Sequence, residues 1–221
     1  HDDRAGASVP ISVDTTRSAV ALAAIRAGAD AINDVSGGVE DPELFAVAAA
    51  HGVGLVLMHR TQAPPRDRYA DEYEREPEYA GGVVAAVRAH LAQQAERALD
   101  AGVSADRLVV DPGLGFGKSV SQNLELLRAG ADVSAGGWPV YLGASRKRFV
   151  GRLSIDGPSE PQDRLAGSIA ATLLGAQAGA LLHRVHDVSS HAQALSVLTA
   201  WNELGSHGVH RGSPADPGAG S

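Results

Sequence analysis

The chain has 221 residues, 44% hydrophobic and 20% charged, with a formal net charge of -7 and no cysteine. That length supports one sizeable core, and the missing cysteines remove disulfides, thiolate metal sites and thiol nucleophiles. The negative balance, with arginines scattered among acids, argues against a nucleic-acid partner. No window approaches the roughly 18 consecutive apolar residues of a membrane helix and no secretory signal opens the chain, so a soluble, cytoplasmic protein is expected.

The chain opens at His1 and its one methionine is Met58, so an upstream segment is expected to be missing. From there, short apolar runs rich in β-branched residues recur: PISVDT (10–15), DAINDVSGG (30–38), VGLVLMH (53–59), LVVDPGLGFGK (108–118), PVYLGASRK (139–147) and ALLHRVHDV (180–188). The runs are nearly continuous rather than alternating, as in parallel strands covered on both faces. Helical stretches separate them. The first is read as 17–27, with Thr15 or Thr16 as N-cap and Gly28 as stop, and the second runs from a first-turn Pro42 to Gly52. The spacing predicts the longest helix over 79–101, further helices over 164–178 and 190–204, and a solvated loop over 60–79. Residues 1–204 are thus one domain, and 205–221, rich in Gly, Pro and Ser, read as a disordered tail.

The rhythm gives about six strand-helix units, against eight in a TIM-type (β/α)₈ barrel of about 250 residues. The fold class expected is α/β, a parallel barrel with two units missing from its start. An open doubly wound sheet is the rival, but no G-x-G-x-x-G turn follows a first strand.

Each run ends in polar or glycine residues, and in a parallel barrel those ends meet on one face. Only two of the 19 basic residues are lysines, Lys118 and Lys147, and both follow strands, where a compact ammonium differs from a planar guanidinium. The DPGLGFGK segment brings Gly113, Gly115 and Gly117 around Phe116 in a tight loop, without the spacing of a nucleotide-triphosphate loop. Arg184 and His186, two apart in an extended segment, lie on one side and could clamp a phosphate.

Each residue also has a plainer reading. Asp14 could be an N-cap, Asn33 and Asp34 turn residues, Asp111 the start of a turn and Met58 core packing. Residues 146–148 could be a solvated charge run, and Lys118 could bind the end of a neighbouring helix. His59, His183 and His186 lack metal-ligand spacing, so no zinc and no protein metal site is expected.

Taken in order, SVDT, INDVSGG, LMH, DPGLGFGK, GASRKRF, RLAGSIAA and RVHDV resemble dihydropteroate synthases, folate-pathway transferases. The resemblance covers residues 10–204. It implies condensation of p-aminobenzoate with hydroxymethyl-dihydropterin pyrophosphate, with Mg2+ as cofactor. It also implies small-molecule partners, sulfonamide competition and a homodimer through the later helices. By the same resemblance Asp14, Asn33 and Asp111 hold the pterin, Met58 packs on its face and Lys147 lies against ring and oxo group. Gly115 and Phe116 border the substrates, and Arg184 with His186 takes the pyrophosphate. Asp14, Lys147, Arg184 and His186 are the catalytic candidates. The family's first two strand loops, which help bind pyrophosphate and aminobenzoate, have no counterpart here. A methyltetrahydrofolate-handling methyltransferase domain and a non-catalytic pterin-binding remnant are the alternative readings.

Overall fold

The computed structural model describes residues 9–63, 73 and 75–207. Among these residues six short strands alternate with helices: β1 (Ser12–Asp14), α1 (Ser18–Arg26), β2 (Ala31–Asp34), α2 (Glu43–His51), β3 (Gly54–Met58), α3 (Val83–Asp100) and β4 (Leu108–Asp111) come first. They are followed by α4 (Val120–Ala129), β5 (Tyr141–Leu142), α5 (Arg148–Arg152), α6 (Leu165–Gln177), β6 (Leu182–His183) and α7 (Val188–His207). Strands β1 to β4 are parallel neighbours in chain order, β5 and β6 form a second parallel pair, and a parallel bridge from Val110 to Val140 joins the two. This is the α/β architecture of a TIM-type barrel with six strand-helix units. Among the described residues no strand links β6 back to β1, and Ile11 and Leu181 at these edges are 55% and 72% exposed.

Pairing register decides which side chains face inward. Asp14 pairs with Asn33 and Asn33 with Val56; Met58, two residues beyond Val56, pairs with Asp111. Because strand side chains alternate, Asp14, Asn33 and Asp111 share one face with Val56 and Met58. Ile32, Leu55, Leu57, Leu108, Val110, Val140 and Leu142 share the other, where they join two buried clusters with the inner sides of the helices. The helices therefore take the apolar row and leave the polar row to the barrel mouth.

Several boundaries differ from expectation. Neither Thr15 nor Thr16 caps α1; Arg17 holds the cap position without a side-chain bond, and the Ser18 N–H donates instead to Asp41, 2.8 Å away. Helix α2 closes on Gly52 in the left-handed conformation, as expected. Helix α3 starts at Val83 rather than 79, because Gly81 and Gly82 both adopt positive φ, and α7, with 20 residues, is the longest helix. Helix α4 opens with a capping box between Ser119 and Gln122. Residues 205–207, assigned to the tail on composition, continue α7; the rest of the tail lies outside the described residues, as do 64–72 and 74 of the expected loop. The described end of that loop is tied down, with Tyr79 Oη donating to the Gly117 carbonyl at 2.7 Å and Gln122 to the Pro77 carbonyl at 2.6 Å. No described helix is long and apolar enough to cross a membrane.

One glycine locks the mouth of the sheet. Gly113 sits at φ 68°, and a Cβ there would lie 1.9 Å from the His59 carbonyl oxygen. Gly113→Ala should therefore lower stability by roughly 2–4 kcal/mol, the sum of a left-handed non-glycine and an overpacked contact. A denaturant titration that finds parent stability in this variant contradicts the packing described.

Candidate functional site at the strand ends

A cavity of about 210 Å³ opens at the carboxyl ends of the strands, walled by Asp14, Asn33, Val35, Met58, Asp111, Leu114, Phe116, Tyr141, Gly143, Lys147 and Arg184. Seven of the nine residues picked out from the sequence thus stand in one wall. Of the other two, Gly115 lies beneath Lys147, with room for a Cβ only 3.1 Å from the lysine Cδ, and His186 meets Arg184, its Nε2 2.7 Å from the Arg184 Nη1.

The polar groups are unevenly satisfied. Asn33 Nδ2 donates to Asp14 at 2.8 Å, while Asn33 Oδ1 is buried with no partner. Asp14 is therefore bound to a neighbouring strand and is not the cap of α1. Asp111 is 5% exposed and accepts the Gly113 N–H at 2.7 Å, so it starts its turn and faces the cavity as well. Burial pushes its carboxyl up to about 6, against the pull of the Gly113 hydrogen bond and of Lys147 and Lys118. Burial, and then the Asp111 and Asp14 carboxylates, raise Tyr141 to about 12, so it stays a neutral phenol. Lys147 Nζ stands 4.1 Å from the centre of the Phe116 ring, a cation held on an aromatic face.

Neighbouring residues take other tasks. Asp34, fully buried, accepts from Ser36 N, Ser36 Oγ and Gly38 N at 2.6–2.8 Å; it is the turn residue, and Asn33 is the cavity residue. Lys118 is also fully buried, and it serves the loop rather than a helix end. Its Nζ lies 2.8 Å from the Phe116 carbonyl, 3.0 Å from the Gly113 carbonyl and 3.0 Å from His59 Nδ1. The His59 carbonyl lies farther off at 3.4 Å, so the three protons of the ammonium all have acceptors at hand. Burial and then the Lys118 charge lower His59 to about 3, which leaves its ring neutral and able to accept. The ammonium thereby fixes the loop that carries Phe116. His183 and His186 lie elsewhere, and among the described residues no three His, Cys, Asp or Glu are grouped to hold a metal.

Tyr141, Val35, Leu114 and Gly143 were not anticipated. In the run PVYLG, Tyr141 and Leu142 had equal claims to face inward, and only the bridge between Val110 and Val140 decides for Tyr141.

Comparison with known proteins agrees with this geometry. Residues 2–186 match the family described as pterin binding enzyme. The chain belongs to the pterin-binding enzymes. It is 43% identical to a dihydropteroate synthase of Mycobacterium leprae over 91% of this chain and 70% of the relative. It is 44% identical to a Mycobacterium bovis protein named inactive dihydropteroate synthase 2, over 86% of this chain and 58% of that one. A solved Burkholderia cenocepacia dihydropteroate synthase, complexed with 7,8-dihydropteroate, superposes with a TM-score of 0.79 at 40% identity, covering 90% of this chain and 70% of the other. The chain thus spans 58–70% of the length of these relatives.

For a pterin-binding enzyme, the desolvated Asp111 opposes folding once ionised. Its folded-state affinity for a proton exceeds that of an unfolded aspartate, so its favourable contribution exists at low pH and is lost as pH rises from about 4 through about 6. Asp111→Asn, which keeps an acceptor for Gly113, should therefore be more stable than the parent at pH 8 by roughly 2–3 kcal/mol, and no more stable at pH 4. Thermal melts at both values check this; an unchanged or lower stability at pH 8 contradicts a buried, charged Asp111.

Proposed function

We propose that this chain carries the pterin and pyrophosphate sites of a dihydropteroate synthase, which joins p-aminobenzoate to hydroxymethyl-dihydropterin pyrophosphate in folate biosynthesis. One observation supports this above the rest: a buried carboxylate, an unpartnered amide oxygen and an ammonium on an aromatic face share one small cavity. A 2-amino-4-oxo pyrimidine ring presents adjacent N–H donors and an oxo acceptor. Asp111 would accept the donor pair, Asn33 Oδ1 a further N–H, and Lys147 would donate to the oxo group. Met58, 2% exposed, would lie on the ring face.

The reaction breaks the bond between the exocyclic methylene carbon and the pyrophosphate oxygen, and forms one from that carbon to the aniline nitrogen, which then loses a proton. Arg184 with His186 stabilises the departing pyrophosphate, and Asp14 stands where positive charge develops on the methylene. Mg2+ would neutralise the leaving group. Phe116 and Lys147 border the aminobenzoate, and sulfonamides would compete there. A homodimer fits the apolar groove of about 480 Å³ between α4, α5 and α6, in which Leu153, Ile155 and Leu174 are 53%, 101% and 55% exposed.

A second reading, a pterin binder without turnover, is favoured by the inactive relative at 44% identity. Calorimetry with hydroxymethyl-dihydropterin pyrophosphate and Mg2+ tests the common ground: Asp111→Ala should weaken binding roughly 100-fold through the loss of two charge-assisted hydrogen bonds. Addition of p-aminobenzoate then separates the readings. Release of pyrophosphate and dihydropteroate supports the synthase, binding without product supports the binder, and binding untouched by Asp111→Ala contradicts both.

A further inference from the structure

Arg146 is the one described residue other than glycine with positive φ, at 61°. A left-handed arginine is uncommon, and its surroundings hold it there. The Arg146 N–H donates to Ser168 Oγ at 2.9 Å, and its carbonyl accepts from Arg164 Nη1 at 2.9 Å. Ser168, fully buried, donates in turn to the Arg164 carbonyl at 2.6 Å. The Arg146 guanidinium grips Asp187 with two bonds, Nη2 at 2.8 Å and Nε at 3.2 Å, and that grip holds the Asp187 carboxyl below the usual range. Neither Arg146 nor Asp187 lines the cavity. Each is, however, the chain neighbour of a residue that serves it: Lys147 follows Arg146, and Asp187 follows His186.

A third tie crosses the same gap. Ser145 Oγ lies 3.1 Å from His186 Nδ1 and accepts the His186 N–H at 3.3 Å. The loop after β5 is thus bound to the loop after β6 by an ion pair on one side and a hydroxyl on the other. We propose that Arg146 and Asp187 are positioning residues, whose ion pair fastens the β5 loop to the β6 loop so that Arg184 and His186 converge on one anion. The left-handed turn at Arg146 sends its guanidinium away from the cavity while Lys147 turns in over Phe116. Both partners are about one-third exposed, a setting in which an ion pair adds little to stability, so its loss should disturb geometry more than folding.

This inference rests on the assignment of Arg184 and His186 to the pyrophosphate end of the site. Its test uses the full chain, with inorganic pyrophosphate plus Mg2+ and, separately, 6-hydroxymethyl-7,8-dihydropterin as calorimetric probes. Circular dichroism first establishes that each variant is folded. Asp187→Asn should weaken pyrophosphate binding about tenfold and leave pterin binding unchanged, and the charge-reversed pair R146D/D187R should recover most of the loss, as expected for coupled partners. Asp187→Asn binding pyrophosphate like the parent, or a reversed pair that recovers nothing, overturns the proposal. A parent chain that binds pterin but not pyrophosphate also overturns it and leaves the pterin reading standing. Pyrophosphate binding without pterin binding sinks the pterin reading instead and keeps the positioning role.

Discussion

Everything at the site follows from a parallel register combined with the alternation of side chains along a strand. Asp14 beside Asn33, and Asp111 beside Met58, are pairings fixed by backbone hydrogen bonds, and they place three polar residues and a methionine from four strands on one face. The alternate residues, Ile32, Leu55, Leu57 and Leu108 among them, are taken into the buried cluster beneath the helices. A slip of one residue in any strand would exchange these sets, burying a carboxylate under a helix and turning a leucine into the mouth. The hydrophobic core and the candidate site are therefore one constraint seen from two sides.

The charges at the mouth are arranged at some cost. Asp111 is desolvated, and its carboxyl is displaced up to about 6 because the cations near it offset only part of the burial. Lys118 is fully buried as well, but carbonyls and the His59 ring surround it with acceptors, so it can act as a structural rivet. The contrast separates the two roles. A group kept for structure has its bonding satisfied within the protein, whereas Asn33 Oδ1 is left with a bond to make. Unsatisfied capacity in a buried wall is what a hydrogen-bonding ligand would complete, and a stability cost at Asp111 is the expected companion of such a site.

Much of this was legible in the sequence because β-branched runs and strand-end polar residues are local signals. The six units, the α2 stop at Gly52 and the convergence of Asp14, Asn33, Met58, Asp111, Phe116, Lys147 and Arg184 could be read from spacing and family resemblance. What escaped depends on non-local geometry. Tyr141 needed the pairing between strands, and the Ser18 cap came from Asp41, 23 residues away. The left-handed turn at Arg146 is held by Ser168 and Arg164, which no neighbourhood in the chain announces. The plainer reading of residues 146–148 as a solvated charge run fails at two of them: Arg146 is locked to Asp187, and Lys147, already a site candidate, stands over Phe116.

The central claim is that an ionised, buried Asp111 receives the donor edge of a pterin, and the pH dependence of binding tests it most directly. Calorimetric titration with 6-hydroxymethyl-7,8-dihydropterin should show affinity climbing with pH through about 6 and levelling above it, because the carboxyl must lose its proton to accept both donors. In Asp111→Asn the climb should vanish together with most of the affinity. Binding that is flat across this range in the parent, or that keeps its full strength in the asparagine variant, would contradict the account.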